Sequence, residues 1–138
     1  MYVGRIVAIG RNAAGKACAL YRVSSRSFPN REAKVLENSV AILPKAGHED
    51  DIHKNPYIAY NCIKLTGNYA VVTNGSHTDF IAEKLSAGLS PRDALASVLL
   101  AMDYEHDSYN TPRIAAIVDN TKSAYLGIVT DGSLLVTS

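Results

Sequence analysis

The sequence predicts an α+β fold in which a mostly antiparallel sheet is covered on one face by a pair of helices. Strand-like and helix-like segments are segregated along the chain, which argues against a parallel sheet built of alternating strands and helices. Gly67-Asn68 and Asp131-Gly132 are two-residue turn signals between strand-like segments, as expected of antiparallel hairpins. The 138 residues, 47% of them hydrophobic, are predicted to form one domain over residues 1–138.

The first half of the chain contains runs of β-branched and small apolar residues separated by polar breaks. These runs predict strands at residues 2–10, 17–23, 35–43, 57–65 and 69–73, of which the first two form a hairpin. Within the strand at 57–65, alternation places Tyr57 and Tyr60 on opposite faces. The segment from Lys45 to Pro56 is too polar for a core and is predicted to be an exposed connection.

Beyond residue 77 the apolar residues change to helical spacing. Ile81 and Leu85 lie four residues apart, which predicts a helix over residues 78–87. Residues 90–93, Ser-Pro-Arg-Asp, are a helix-start signal because Ser caps free amides and Pro suits the first turn, and they open a second predicted helix. Strands are predicted to return at residues 113–118, 124–130 and 134–137.

The final predicted strand lies at the end of this sequence, and the two helices can cover only one face of one sheet. If the strands fold into two layers, the outer face of the second layer has no helices in this sequence to cover it. We therefore expect either further chain or a partner subunit to cover that face, and we expect self-association into a homo-oligomer.

Charge is distributed unevenly along the chain. Fourteen Lys and Arg against thirteen Asp and Glu give a net charge of +1, which argues against nucleic acid or an anionic membrane as a partner. Residues 1–31 nevertheless hold six basic and no acidic side chains, whereas the remainder holds eight basic and thirteen acidic ones. The basic N-terminal segment is the first indication of an anionic ligand.

Cys18 and Cys62 have neither CxxC spacing nor a neighbouring histidine pair, so we expect no metal site through them. The two could pair as a disulfide, but reduced core thiols are the favoured expectation for a chain with this large an apolar content. His106 beside Asp103 and Glu105 offers too few metal ligands as well. No apolar run approaches the ~20 residues of a bilayer span, and the first residues do not resemble a leader. A cytoplasmic protein is therefore expected.

Three polar clusters are candidates for chemistry, and each has a plain structural alternative. Residues 24–31 combine three serines with Arg26 and Arg31, and either bind an anion such as phosphate or form a solvated loop. Residues 74–79 precede a helix and either attract anions or cap it. Residues 103–107 place three carboxylates and a histidine at a helix end, which fits proton transfer or a solvated helix end.

These clusters lie within five stretches that together resemble the archaeal-type IMP cyclohydrolase family. The stretches are YRVSSRSFPNR (residues 21–31), NPYIAYNC (55–62), NGSHTD (74–79), AMDYE (101–105) and NTPRIA (110–115). The resemblance implies ring closure of 5-formamidoimidazole-4-carboxamide ribonucleotide to inosine monophosphate with loss of water, the last step of de novo purine biosynthesis. It also implies an αββα sandwich of the N-terminal-nucleophile hydrolase type, although this chain is short enough that one outer helical layer is expected to be missing. No metal or organic cofactor is implied.

Within this interpretation, Arg31 and Tyr60 are assigned to the developing oxyanion or the departing oxygen, and Glu105 is assigned to proton transfer. The groups assigned to substrate binding are Arg26 with Ser24 or Ser25 for the 5′-phosphate, Asn61, Asn74, His77 and Asn110 for the carboxamide and ribose, and Asp103 and Arg113 as supporting groups. Two alternatives stay open: a non-catalytic purine-nucleotide-binding subunit, and an amidohydrolase on the same scaffold, against which stands the absence of a nucleophilic side chain at Met1.

Overall fold

The computed structural model describes residues 4–121 and 123–138. Within these ranges the strands are β1 (Arg5–Arg11), β2 (Ala17–Val23), β3 (Arg31–Val35), β4 (Ser39–Pro44), β5 (Tyr60–Thr66), β6 (Tyr69–Thr73), β7 (Arg113–Asp119), β8 (Ala124–Val129) and β9 (Leu134–Thr137). The helices are α1 (Asp51–Lys54), α2 (His77–Ser86) and α3 (Pro91–Met102), with a 3₁₀ turn at Pro56–Ile58. The predictions that involve Met1, Tyr2 and Val3 lie outside the described residues.

Seven strands form one antiparallel sheet in the order β3-β4-β5-β6-β7-β8-β9, so each strand pairs with its neighbour in sequence. Strands β1 and β2 form a separate hairpin, in register from Arg5 opposite Val23 to Arg11 opposite Ala17. Short turns such as Gly67-Asn68 make this order possible, since antiparallel neighbours need only a brief reversal.

The seven-stranded sheet is covered differently on its two faces. Helices α2 and α3 pack on one face, where Val71, Ile81, Leu95 and Ile117 form a fully buried apolar core. The β1–β2 hairpin packs on the other face, mainly over β5, β6 and β7. The predicted α+β class, with antiparallel strands and a helical pair on one face, is confirmed.

The region between residues 31 and 44 differs from its prediction. One strand over residues 35–43 was expected, but the chain forms β3, turns at residues 36–38 and returns as β4, with the Leu36 N–H donating to the Ser39 carbonyl at 2.8 Å. The polar Glu37-Asn38 pair favours a turn over a strand interior. Arg31 consequently lies at the start of a strand rather than within the loop.

The strand predicted over residues 57–65 begins later, at Tyr60. Pro56 has no N–H to donate to a sheet, and the Asn55 side chain accepts from the Tyr57 N–H at 2.8 Å, which together stabilise a 3₁₀ turn. The expected alternation between Tyr57 and Tyr60 was therefore wrong, because Tyr57 lies outside the strand.

Both predicted helices are present. Helix α2 begins and ends one residue earlier than the predicted range 78–87, and α3 begins at Pro91, within the predicted start signal. The Ser90 hydroxyl accepts from the Asp93 N–H at 3.2 Å, which is the capping role that the sequence predicted. None of the helices within residues 4–121 and 123–138 has the length and apolar character needed to cross a bilayer. Cys18 and Cys62 are free thiols, as predicted, and burial raises the pKa of Cys62 to about 11.

Candidate active site

A cavity of about 660 Å³ opens where the hairpin meets the end of the sheet. Three segments from distant parts of the sequence form most of its wall: Gly4 with Arg5, the loop that follows β2, and the loop that precedes β7. Antiparallel pairing explains this convergence, because it brings the start of β7 beside the end of β6, and the end of β2 reaches the same side of the molecule. A cavity of this size can take a ligand as large as a mononucleotide.

The loop after β2 presents the hydroxyls and guanidinium that the sequence predicted for an anion. Ser24, Ser25 and Arg26 all line the cavity. The Ser24 N–H donates to the Gly4 carbonyl at 2.8 Å, and the Ser25 hydroxyl accepts from the Phe28 N–H at 3.0 Å, so the backbone of this loop is held in a defined shape. Arg26 is exposed on the same loop.

Glu105 lies at the base of the loop that precedes β7, and its side chain is 0% exposed. Its Oε2 is 3.5 Å from Arg5 Nη1, which joins residues one hundred positions apart in sequence. Its Oε1 has no hydrogen-bond partner among the residues that the structure describes. Burial raises the pKa of Glu105 above its ordinary value, while Arg5, Arg113 and Arg31 act in the opposite direction.

Tyr21 and Tyr60 form a phenol pair between the hairpin and the sheet. Their hydroxyl oxygens are 2.6 Å apart and their rings meet edge to face, with centroids 6.2 Å apart. Burial raises the pKa of Tyr60, and the opposing influences include the Tyr21 hydrogen bond and the positive charges of Arg5 and Arg31. Arg5, Tyr21, Tyr60 and Glu105 are referred to below as the Glu105 cluster.

Arg31 connects the serine-containing loop to the segment that leads into β5. Its Nε donates to the Phe28 carbonyl at 3.2 Å, and its Nη1 donates to the Ile58 carbonyl at 3.1 Å. Arg31 lines a smaller neighbouring cavity of about 310 Å³ rather than the main one. Its charge nevertheless acts on both Tyr60 and Glu105, so the three residues predicted to be catalytic belong to one electrostatic environment.

A second polar group lies at the junction of β6 and α2, and it consists of Thr73, Asn74, His77 and Thr78, referred to below as the Asn74 cluster. The Asn74 side chain donates to the Pro112 carbonyl at 2.8 Å and accepts from the Ile114 N–H at 2.9 Å. His77 Nε2 lies 3.0 Å from the Ile114 carbonyl, and burial lowers the pKa of His77 to about 3. These side chains hold β6 and β7 together at the cavity wall.

Gly75 separates the two clusters. A Cβ atom at this position would lie 3.2 Å from His77 Nδ1 and 3.3 Å from both Arg113 Nη1 and Glu105 Oε1. Those distances are shorter than ordinary packing contacts, so the absence of a side chain allows the carboxyl, the guanidinium and the imidazole to approach one another. Arg113 is itself buried, and its Nε donates to the Asp103 carbonyl at 2.8 Å.

Five predicted binding residues do not line the main cavity: His77 and Arg113, described above, and Asn61, Asp103 and Asn110. Tyr60 and Glu105 are not part of its lining either. The Asn61 side chain donates to Asp79 of α2 at 3.0 Å, on the helix-covered face of the sheet. Asp103 contributes its backbone carbonyl to Arg113, while its carboxylate lies 3.7 Å from His106 at the surface. Asn110 is exposed and has a positive φ of 47° within the loop.

Arg5, Tyr21 and Asp107 also belong to the site, although the sequence did not predict them as site residues. Arg5 was counted only within the basic N-terminal segment, and Tyr21 appeared only as the first residue of the first resembling stretch. Asp107 accepts from the backbone of Tyr109 and Thr111, at 3.1 and 3.0 Å, and thereby shapes the loop that lines the cavity. Two features of the sequence could have indicated these residues: Arg5 is a charged residue at the start of a strand, and Asp107 begins an Asx-type turn.

In the part of the chain that the structure describes, no group of three or more His, Cys, Asp or Glu side chains is arranged to hold a metal ion. The cavity instead offers hydroxyls, guanidinium groups and amides. This composition suits a ligand that carries phosphate and hydrogen-bonding groups.

Comparison with known proteins places the chain among similar sequences. Residues 2–138 match the model of a family described as IMP cyclohydrolase-like protein. A protein of Methanocaldococcus jannaschii named IMP cyclohydrolase is 57% identical over 137 residues, covering 99% of this chain and 65% of the relative. Proteins of the same name from Methanococcus maripaludis strain C6 and Methanocella arvoryzae are 56% and 58% identical, covering 99% and 100% of this chain and 67% of each relative. The chain thus spans about two thirds of the length of these relatives.

Proposed function

Because the chain belongs to the IMP cyclohydrolase-like family, we propose that it closes 5-formamidoimidazole-4-carboxamide ribonucleotide to inosine monophosphate with release of water. The chain covers about two thirds of the length of its relatives, and the activity that we propose is that of a protein of the relatives' full length. The reaction belongs to purine biosynthesis and needs no external nucleophile, since both reacting groups are on the substrate.

The observation that carries the proposal is the environment of Glu105. A carboxyl that is 0% exposed, with one oxygen 3.5 Å from Arg5 and the other without a hydrogen-bond partner among the described residues, is unfavourable for stability alone. Such a group suits proton transfer, because a buried carboxyl whose pKa is raised by desolvation and opposed by nearby arginines is typical of an acid–base residue. Its position beside the serine-containing cavity supports a phosphorylated substrate.

The chemistry requires two proton removals and one departure of water. The carboxamide nitrogen attacks the formyl carbon, a C–N bond forms, and the electron pair of the C=O bond moves to the formyl oxygen. That oxygen takes one proton originating from the carboxamide nitrogen, and it later takes a second from the former formamide nitrogen. The C–O bond then breaks, water leaves, and a ring C=N bond forms. Binding in the reactive conformer supplies much of the rate advantage.

We assign Glu105 to carrying these protons, and Arg31 with Tyr60 to stabilising negative charge on the formyl oxygen. Arg26, Ser24 and Ser25 are assigned to the 5′-phosphate, since all three line the cavity. A preorganised donor beside the oxyanion costs little rearrangement during the reaction, and the two backbone bonds of Arg31 keep its guanidinium in place.

The remaining assignments act around that centre. Asn74 uses both ends of its amide on the backbone of Pro112 and Ile114, so we propose that it orients the substrate by fixing the cavity wall. His77, Arg113 and the Glu105 carboxyl all lie close to Gly75, so we assign His77 and Arg113 to supporting that carboxyl. Asn61 and Asn110 are assigned to the carboxamide and ribose and Asp103 to a supporting role, and their side chains would have to turn from their present positions to fill these roles.

We propose a hydrolase-class enzyme of the cytoplasm, with one domain over residues 1–138 and an N-terminal-nucleophile-type sandwich of which the β1–β2 hairpin forms part of the second sheet. Leu20, Leu126 and Leu135 are exposed on or beside the hairpin face, at 59%, 46% and 58%, which supports burial in a homo-oligomer.

The direct test mixes the purified chain with the formamido nucleotide and follows ultraviolet absorbance, which changes when the second ring closes. We expect product formation proportional to the protein concentration. A chain that binds inosine monophosphate by calorimetry but forms none would be a nucleotide-binding protein instead, and a chain that releases formate would be an amidohydrolase. The same assay on a protein as long as the relatives establishes whether the additional third of the sequence is required.

A further inference from the structure

Arg5 lies close to two groups of the site, the Glu105 carboxyl and the Tyr21–Tyr60 phenol pair. It is the first residue of β1, lines the main cavity, and has a side chain that is 20% exposed. Its Nη1 is 3.5 Å from Glu105 Oε2, and its charge acts on both phenols of the Tyr21–Tyr60 pair. The hairpin therefore contributes a cation to the site in addition to covering the sheet.

Titratable and charged groups from several elements lie around Glu105. Arg5 approaches from β1, Arg113 from β7 and Arg31 from β3, whereas Asp107 lies on the same loop as Glu105. His77 of α2 faces the same space at Gly75 but remains neutral, since burial lowers its pKa to about 3. Of the cations, Arg5 has the strongest effect on Glu105 and forms an ion pair with it.

We propose that Arg5 is a positioning residue for the proposed reaction, because its guanidinium holds the Glu105 carboxylate ionised and aligned beside the cavity. This role of Arg5 rests on the proposed function for the reaction itself, whereas the ion pair between Arg5 and Glu105 is present in the chain without a ligand. A carboxyl buried without that cation would take up a proton at higher pH, since desolvation penalises the charged form. It would then be less able to accept a proton from the substrate nitrogen.

The first test measures the carboxyl itself and needs no activity. The chain contains five glutamates, so ¹³C labelling of glutamate carboxyls resolves them by NMR, and Glu105→Gln assigns the signal of Glu105. We expect the Glu105 signal to titrate at higher pH in Arg5→Gln than in the wild type, with Arg5→Lys in between. An unchanged titration in Arg5→Gln would overturn the proposal.

The matched control is Arg11→Gln, which removes the same charge from the same face of β1. Arg11 is exposed and contacts the Gly15 and Asp119 carbonyls at the far end of the hairpin. We expect Arg11→Gln to leave both the titration of Glu105 and the turnover at wild-type values. If Arg11→Gln shifts the titration as much as Arg5→Gln does, net charge rather than the local pair is responsible, and the proposal fails.

The second test is the pH profile of kcat/KM for ring closure. In Arg5→Gln, the acidic limb is expected to move to higher pH, and Arg5→Lys is expected to return most of that shift. Reduced activity at all pH values with an unmoved limb would indicate a structural role and overturn the positioning role. An inactive wild-type chain with a shifted NMR titration would count against the proposed function while leaving the Arg5–Glu105 pairing intact.

Discussion

The Asn74 cluster and the Glu105 cluster are neighbours, yet they satisfy their polar groups in different ways. In the Asn74 cluster, the amide bonds to Pro112 and Ile114, His77 meets the Ile114 carbonyl, and the two threonine hydroxyls lie 2.7 Å apart. In the Glu105 cluster, a buried carboxyl is left with one oxygen unpartnered among the described residues. Both clusters contain residue types that enzymes use.

The contrast teaches that residue type alone does not separate a structural site from a chemical one. Hydrogen bonds within the chain make the Asn74 cluster a connection between β6 and β7, and they leave its side chains little capacity for a ligand. An incompletely paired charge costs stability and is retained where it meets a substrate. We therefore expect substitutions in the two clusters to affect different measurements.

The largest effect is expected from Glu105→Gln, which keeps the shape of the side chain and removes its charge. Turnover should fall by about 10²–10⁴-fold, as is typical for loss of a general acid–base group. Product binding and the thermal midpoint should change little, because a buried charge is removed rather than a packed group. The absorbance assay and thermal unfolding measure these quantities. Glu83→Gln, at an exposed position of α2, is the matched control; near-normal turnover of Glu105→Gln would remove Glu105 from the reaction.

Arg31→Lys is expected to produce the next largest effect. Lysine keeps the charge but cannot reach the Phe28 and Ile58 carbonyls with a planar fork, so kcat should fall by about 10²–10³-fold, the range for loss of one oxyanion donor. Circular dichroism should show an intact fold. The exposed Arg22→Lys provides the comparison and should retain wild-type kcat. Equal kcat values in the two variants would contradict the oxyanion assignment.

Asn74→Ala tests the other cluster, through stability. The substitution removes the side-chain partner of the Pro112 carbonyl and of the Ile114 N–H at a part-buried junction, at about 1–3 kcal/mol for each group. We expect the free energy of unfolding to fall by about 2–5 kcal/mol in urea titrations. Asn120→Ala, at an exposed bend, should be nearly neutral. A loss no greater than that of the control would mean that water replaces the missing bonds.

The smallest effect is a pH dependence of stability that originates at His77. Its pKa is about 3 in the folded chain and about 6.5 when unfolded, so the unfolded chain binds the extra proton and stability falls as pH drops through that window. Between pH 7 and pH 5 the loss from this group is about 2 kcal/mol.

The pH dependence of stability that originates at Glu105 has the opposite sign, because its raised pKa contributes stability that is lost as pH rises.

Comparison of the wild type with His77→Gln isolates the histidine contribution, and His53→Gln, at the surface, is the control. NMR of the His77 ring should show the neutral form at pH 5. A ring that is protonated at that pH would contradict the assignment of His77 to the Asn74 cluster.

The sequence predicted much of this architecture, because many elements depend on contacts within a few residues, whereas the site residues it missed depend on contacts between distant parts of the chain. Ser90-Pro91 and the Gly67-Asn68 turn act through contacts within a few residues, so their elements were predicted correctly. Arg5 could not be identified in the same way, because its partner Glu105 is one hundred residues away. Asn61 fits a binding motif by type, but its direction depends on α2, which holds its amide at Asp79.

The separation of the β1–β2 hairpin from the seven-stranded sheet has a consequence for how such a protein can change. The hairpin strands are hydrogen-bonded as their own two-stranded sheet, and they meet the larger sheet through side chains. Substitutions that shift the hairpin by a fraction of an ångström would move Arg5 and Tyr21 without altering the register of β3 to β9. Substitutions in β1 and β2 are therefore the best route to a changed ligand selectivity, because they leave the seven-stranded sheet and its helices unaltered.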